Sequence, residues 1–157
     1  MMEPSIRVIT EEDVDCVFDM YVQLYEYLNQ KGFVYKLNTS HLKENIVDYI
    51  NSKFTKIFVA ELDNNILGFI MVSVSKINSK FIYENTRYTG NIVDLFVKEE
   101  SRGCSIGKLL IDEANRFFKE LDIKLVQVNT MVNNVGGINF YKKIGFKEDY
   151  ISFISIL

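Results

Sequence analysis

The run Arg102-Gly103-Cys104-Ser105-Ile106-Gly107-Lys108 gathers two glycines, a hydroxyl and two cations into one short stretch. Set between a strand and a helix, such a run suits an anion. The first turn of a helix carries unpaired N–H groups and a partial positive charge, and glycine lets a phosphate approach the backbone. Spacing excludes two other phosphate motifs. A Walker loop needs G-x-x-x-x-G-K-[ST], but Gly103 and Gly107 stand one residue too close, and Leu109 replaces the hydroxyl that would hold magnesium. The dinucleotide fingerprint G-x-G-x-x-G is absent, and the first helix follows Thr10 rather than a glycine loop. A plain strand-to-helix turn, with glycine serving backbone geometry alone, is the competing reading.

Other side chains could move protons. Asp94 falls in Ile92-Val93-Asp94-Leu95-Phe96-Val97, where strand alternation puts it on one face with Ile92 and Phe96. A carboxylate among apolar side chains needs a reason. Proton acceptance or amine binding is one; an ion pair or strand-end cap is another. Glu84, in the irregular stretch before that strand, is a rival for the same task. Tyr141 by itself reads as a core aromatic on a short helix. Cys104 lies in the loop with no histidine nearby to activate it, so its thiol reads as incidental. Cys16 and Cys104 are the only cysteines and His41 the only histidine, which leaves no zinc set and no disulfide framework.

Hydrophobic periodicity supplies the elements that must carry these residues. A short strand at Ile6 to Ile9 leads to Thr10 as a helix N-cap, with Glu11, Glu12 and Asp13 in the first turn. Val14, Val17, Phe18, Tyr21, Leu24, Tyr25 and Leu28 then form an amphipathic stripe that Gly32 closes. A second helix starts near Ser40 and turns Leu42, Ile46, Tyr49 and Ile50 inward. Residues 56–62 and 66–77, joined by Asp63-Asn64-Asn65, predict an antiparallel hairpin. A strand over 91–97, the glycine loop, a helix over 105–121, a strand over 124–131, a short helix over 135–144 and a terminal strand over 146–156 complete the order β-α-α-β-β-β-α-β-α-β. That alternation predicts an α/β mixed sheet covered by helices, in one domain over 1–157.

Ile92 to Leu110, IVDLFVKEESRGCSIGKLL, resembles the acetyl-CoA-binding motif of the GNAT superfamily of N-acetyltransferases. That motif is a strand ending in valine, a short loop, then R-G-x-G-[IV]-G opening a long helix. The run from Asn134 to Phe146 is similar to the family's second motif, N-x-x-[AG]-x-x-[FL]-Y-x-[KR]-x-G-F. The resemblance implies a GNAT-like acyl-CoA N-acyltransferase fold, whose fourth and fifth strands splay apart to admit acetyl-CoA, with no metal. Backbone groups of Leu95, Phe96 and Val97 would then pair with the pantetheine arm and the acetyl carbonyl. Amides of Arg102, Gly103, Cys104, Ser105, Ile106, Gly107 and Lys108 would cradle the pyrophosphate. Asn134 would hold the cofactor's arm, and Tyr141 would act as general acid on the sulfur. Ser105 departs from the pattern by replacing the middle glycine; if that position needs positive φ, the loop is strained. Glu99 and Ser101 depart from it as well, at positions where proline and an aromatic are common.

An amine attacks a thioester only as the free base, while a lysine-like amine has a pKa of ~10.4. Asp94 or Glu84 would take that proton. The strand Val93-Asp94-Leu95-Phe96-Val97 is similar to that of the polyamine and diamine branch, which implies a small cationic acceptor. A peptide or protein amine is the alternative acceptor, and an acyl-CoA-binding regulator without catalysis the alternative function. Segments 33–39 and 76–88 would line the acceptor side, and the apolar terminal strand 151–157 would serve a homodimer.

Composition agrees with such an enzyme and excludes other classes. With 157 residues, 48% apolar and 25% charged, the chain has the profile of a soluble globular domain. A net charge of -3 lacks the basic balance of a nucleic-acid binder. The N-terminus carries acids and no apolar stretch, and no apolar run approaches the ~20 residues of a membrane span. The expectation is a cytoplasmic protein without membrane or nucleic-acid partners.

Overall fold

The computed structural model describes residues 2–157. Strand β1 (Ser5–Val8) is followed by a single 3-10 turn, Glu11–Asp13, and then by helix α1 (Val14–Gln30). The Asp13 carboxylate fastens this corner. It accepts from the Thr10 N–H at 2.8 Å and from Arg7 at 2.7 and 3.0 Å, while Arg7 also reaches Glu61 at 2.7 Å. Helix α2 (Leu42–Ile50) precedes the hairpin of β2 (Thr55–Leu62) and β3 (Asn65–Lys76). Its turn is the two-residue Asp63-Asn64, with φ of 51° and 62°, the double positive φ that suits the twist of a hairpin. Strand β4 (Tyr88–Val97), helix α3 (Ile106–Glu120), strand β5 (Val126–Val128) and helix α4 (Val135–Lys143) follow.

The five strands form one sheet in sequence order, antiparallel except for the parallel pair β4–β5. Side chains alternate across it to make two cores. Ile57 and Val59 of β2 and Phe69 of β3 pack under α1 and α2. Phe58, Ala60, Ile70 and Val72 pack under Leu110, Ile111, Ala114 and Phe118 of α3. Both faces of the central strands are therefore apolar, which a helix layer on each side requires.

Two expectations differ from the structure. The expected terminal strand does not form: residues 147–157 belong to no helix or strand, and Phe153, Ile156 and Leu157 are almost wholly exposed. The physical reason lies in β5, which is three residues long rather than eight and offers little ladder for a sixth strand to pair with. The second difference is a β-bulge. Met71 pairs with Asp94 and Val72 with Ile92, so Val93 has no partner of its own. Ile92 accordingly packs on the α3 side and Phe96 on the α1 side, rather than sharing one face as regular alternation predicts.

Candidate active site

The bulge falls where the sheet opens. Strand β5 pairs with β4 only at Gly90, Asn91 and Ile92. Beyond that point β4 continues to pair with β3 as far as Val97, but no strand lies along its other side among the described residues. The backbone edge of Leu95, Phe96 and Val97 borders this gap. Contacts from the end of α1 bridge to the segment after β5: the Tyr27 hydroxyl donates to Asn134 Oδ1 at 3.3 Å, and Asn133 Nδ2 donates to the Lys31 carbonyl at 3.1 Å.

At the end of β4 the chain makes a short turn, Glu99–Ser101, and enters the glycine loop. Gly103 has φ +78°, and an added Cβ there would meet nothing within 4 Å, so its backbone conformation rather than crowding calls for glycine. Ser105 is the N-cap of α3 and is also left-handed, with φ 61° and ψ 9°. Its hydroxyl makes no capping bond, and the first turn of α3 holds no acid, so the N–H groups at this end lack side-chain partners among the described residues. Gly107 serves a different purpose: a Cβ on it would lie 3.2 Å from the ring of Phe140, which packs α4 closely against α3. The two cations are engaged. Lys108 pairs with Asp112 at 2.6 Å, and Arg102 donates through Nε to the Val97 carbonyl at 3.0 Å with its guanidinium over the Phe96 ring. Cys104 is exposed.

Asp94 is 9% exposed and forms no ion pair among the described residues. Its Oδ1 accepts the Tyr25 hydroxyl at 2.8 Å, and Tyr21 lies near with its own hydroxyl on Met71 Sδ at 3.0 Å. Burial pushes the Asp94 pKa above the ordinary carboxylate range, and the phenols of Tyr25 and Tyr21 partly offset this. Oδ2 accepts no hydrogen bond of ordinary geometry among the described residues, although the Tyr21 phenol stands close enough to favour the charged carboxylate. Among the described residues no polar side-chain atom sealed from solvent lacks a partner, so Oδ2 keeps some contact with solvent. The ion-pair explanation of this buried carboxylate therefore fails among the described residues, and phenols take the place of a cation.

Tyr141 stands on α4 between the rings of Phe140 and Phe146, edge-on at 5.3 and 5.6 Å. Its pKa is raised by burial first and by the Asp94 carboxylate second, so the phenol stays protonated and feels the Asp94 charge. Its hydroxyl makes no hydrogen bond among the described residues and is not sealed from solvent. Asn134 is the N-cap of α4 and accepts from the Gly137 N–H at 3.2 Å, a structural task that uses the same oxygen as the Tyr27 bond. Glu84 is exposed in the tight turn Tyr83–Thr86, at the opposite end of β4 from the glycine loop. The structure does not bring it to Asp94. A 420 Å³ cavity at that end is lined by Tyr83, Thr89 and Leu125 and includes neither Asp94 nor Tyr141. Sequence reasoning counted Tyr25 only as part of the α1 stripe. The available signal was its phenol, since a tyrosine hydroxyl carried into a core has to find a partner.

The sequence pattern of the Acetyltransferase (GNAT) family matches residues 19–146. The chain belongs to that family. As a member it is an acetyl-CoA-dependent acetyltransferase domain. An N-alpha-acetyltransferase of Sulfurisphaera tokodaii is 31% identical over 122 residues, which cover 73% of this chain and 73% of that protein. An uncharacterized N-acetyltransferase of Methanocaldococcus jannaschii is 26% identical over 144 residues, 92% of this chain; the chain spans only 61% of that relative's length. Among solved structures, a tetramutant of BH1408 from Bacillus halodurans superposes with a TM-score of 0.82 at 18% identity, covering 98% of this chain and 99% of that one. Aminoglycoside N-acetyltransferase AAC(6')-Iy in complex with CoA gives 0.78 at 16% identity, covering 98% and 94%. At those identities the likeness is one of fold. No helix among the described residues is long and apolar enough to cross a membrane, and they hold no group of three or more potential metal ligands.

Proposed function

We propose that this chain, as one N-acetyltransferase domain over 1–157, transfers an acetyl group from acetyl-CoA to a primary amine that arrives as a cation beside Asp94. One observation carries the proposal: a buried carboxylate that has no ion pair among the described residues and is bonded through one oxygen to Tyr25. The residues present fit acetyl-CoA, because the open N–H groups of α3 suit a pyrophosphate and the free edge of β4 suits an amide-bearing arm. Acetyl-CoA supplies the activated thioester. Asp94 takes the proton of the ammonium, which frees the nitrogen lone pair for attack on the acyl carbon. Backbone N–H groups near Leu95 and Phe96 donate to the acyl oxygen as it gains charge. Tyr141 donates its O–H to the departing sulfur. Its raised pKa makes complete transfer to a thiolate uphill, so its contribution is a charge-assisted hydrogen bond that strengthens as the C–S bond breaks. CoA leaves as the thiolate, and the second proton, shed by the acylated nitrogen, passes to water.

The acceptor of this reading is a small cationic amine, which needs one carboxylate and an apolar wall such as Phe33 and Tyr35 provide. A peptide α-amine is the second reading, and the likeness to the Sulfurisphaera N-alpha-acetyltransferase favours it. We assign the protein to the cytoplasm, where its two unpaired cysteines stay reduced, and to a homodimer formed through exposed Ile151, Phe153 and Ile156. Light scattering on a sizing column tests the dimer. The activity is tested by thiol release from acetyl-CoA with spermidine, sisomicin and a short peptide bearing a free N-terminus. Release above the hydrolysis background identifies the acceptor class. Tight CoA binding with no release from any of these amines would replace the proposal with the regulator reading.

A further inference from the structure

The Tyr25 hydroxyl has a partner and its ring has another. The ring meets Phe33 at 5.7 Å, and Phe33 meets Tyr35 at 5.5 Å. Those two residues belong to the segment between α1 and α2, and that segment is tied back to α1. Asn29 Nδ2 donates to the carbonyls of Phe33 and Tyr35, both at 2.8 Å, and the Phe33 N–H donates to the Leu28 carbonyl at 3.0 Å. A single tyrosine therefore touches the candidate acceptor wall with its face and the candidate proton acceptor with its hydroxyl.

We infer that Tyr25 is a positioning residue for acetyl transfer: it holds Asp94 by one oxygen, leaves the other for the amine, and ties that carboxylate to the acceptor-side loop. This rests on the reading of Asp94 as the amine's proton acceptor. The groups facing Asp94 support it. Helix α1 contributes Tyr21 and Tyr25, β3 contributes the uncharged thioether of Met71, and α4 contributes Tyr141, with Tyr49 of α2 acting on Tyr21. None is a cation. The Tyr25 bond is the strongest stabiliser of the charged carboxylate, against burial, which favours the protonated form. Losing that bond leaves a carboxyl that keeps its proton to higher pH and can turn freely.

The test is Tyr25→Phe, which removes one oxygen and keeps the ring against Phe33. With aspartate labelled at its carboxyl carbon, NMR titration of Asp94 needs no amine and is expected to move to higher pH in the variant. Turnover against pH, with whichever of the three panel amines the parent acetylates, is expected to lose its acidic limb at higher pH. At neutral pH, kcat/KM is expected to fall about tenfold or more, the worth of a hydrogen bond to a charged group. CoA affinity is expected to be unchanged. An Asp94 titration that stays where it is in folded Tyr25→Phe overturns the inference. So does a moved titration with an unmoved turnover profile. Asp94→Asn separates the two readings. If it turns over like the parent, the assignment of Asp94 has failed. If it is inactive while Tyr25→Phe is normal, only the role of Tyr25 has failed.

Discussion

Ile92 and Asp94 are two residues apart on one strand, yet they face opposite sides of the sheet. Val93, left without a partner between them, accounts for the inversion. Ile92 stays in the apolar layer beneath α3, and the carboxylate two positions on is delivered to the phenols of α1. The same irregularity stands at the last β4–β5 pair, so one inserted residue both aims Asp94 and marks where the sheet opens.

Replacing Asp94 by Asn keeps the shape and an acceptor for Tyr25 while removing the charge. Turnover is expected to fall by roughly 10²–10⁴-fold, with CoA affinity retained. Stability should move the other way. The folded-state pKa of Asp94 is raised, so its contribution to stability is fully present below the unfolded value of ~3.9 and is lost as pH rises through the folded value. At pH 7 the variant should therefore melt above the parent, and at pH 3.5 the difference should close. Melting curves at the two pH values decide this; a variant less stable at pH 7 would show that the charge is paid for elsewhere.

Tyr141→Phe removes the proposed hydrogen bond to sulfur and leaves the edge contacts with Phe140 and Phe146. Turnover is expected to drop about 10²-fold or more, with the CoA dissociation constant little changed, since the bond strengthens only as charge reaches the sulfur. A folded variant with parental turnover, under conditions where chemistry limits the rate, removes Tyr141 from the mechanism.

Ser105 has a left-handed backbone that costs a non-glycine residue roughly 1–2 kcal/mol. Ser105→Gly relieves this but restores about 0.4–1 kcal/mol of freedom to the unfolded chain. A net gain of about 0.5–1 kcal/mol is expected, read from the urea midpoint. CoA affinity should remain within a few fold. A lower midpoint would mean that the serine side chain supplies a contact the loop depends on.

Gly103 is the better place to challenge the phosphate site, because open space surrounds it whereas Gly107 abuts Phe140. Asp and Asn both tolerate left-handed backbone. Gly103→Asp should abolish the rise in melting temperature that CoA produces by mass action, and Gly103→Asn should keep most of it. Equal behaviour of the two variants would place the pyrophosphate elsewhere.

Much of the fold could be read from local pattern. The α1 stripe, the hairpin with Asp63-Asn64 and the helix after the glycine loop are each set by neighbours in sequence. The positions of Asp94 and Tyr25 are not. Alternation predicts one face for Ile92, Asp94 and Phe96, and only the register against Met71 and Val72, some twenty residues back, reveals the bulge. Tyr25 was legible as helix but not as Asp94's partner, because the bond spans 69 residues of chain. The terminal strand failed for a related reason: its β-forming composition is real, but a strand exists only where a neighbour offers a ladder.

That unpaired segment has a colloidal consequence. Ile151, Phe153, Ile154 and Ile156 follow one another without a charge or a proline among them, the profile of a sequence prone to cross-β stacking. Lys147, Glu148 and Asp149 precede it, with only Tyr150 between, and act as gatekeepers, their charges opposing growth of an ordered stack. Lys142 pairs with Glu148 at 2.7 Å, so part of that guard is anchored to α4. Shelf life in concentrated solution should accordingly track ionic strength, shortening as salt screens the guard.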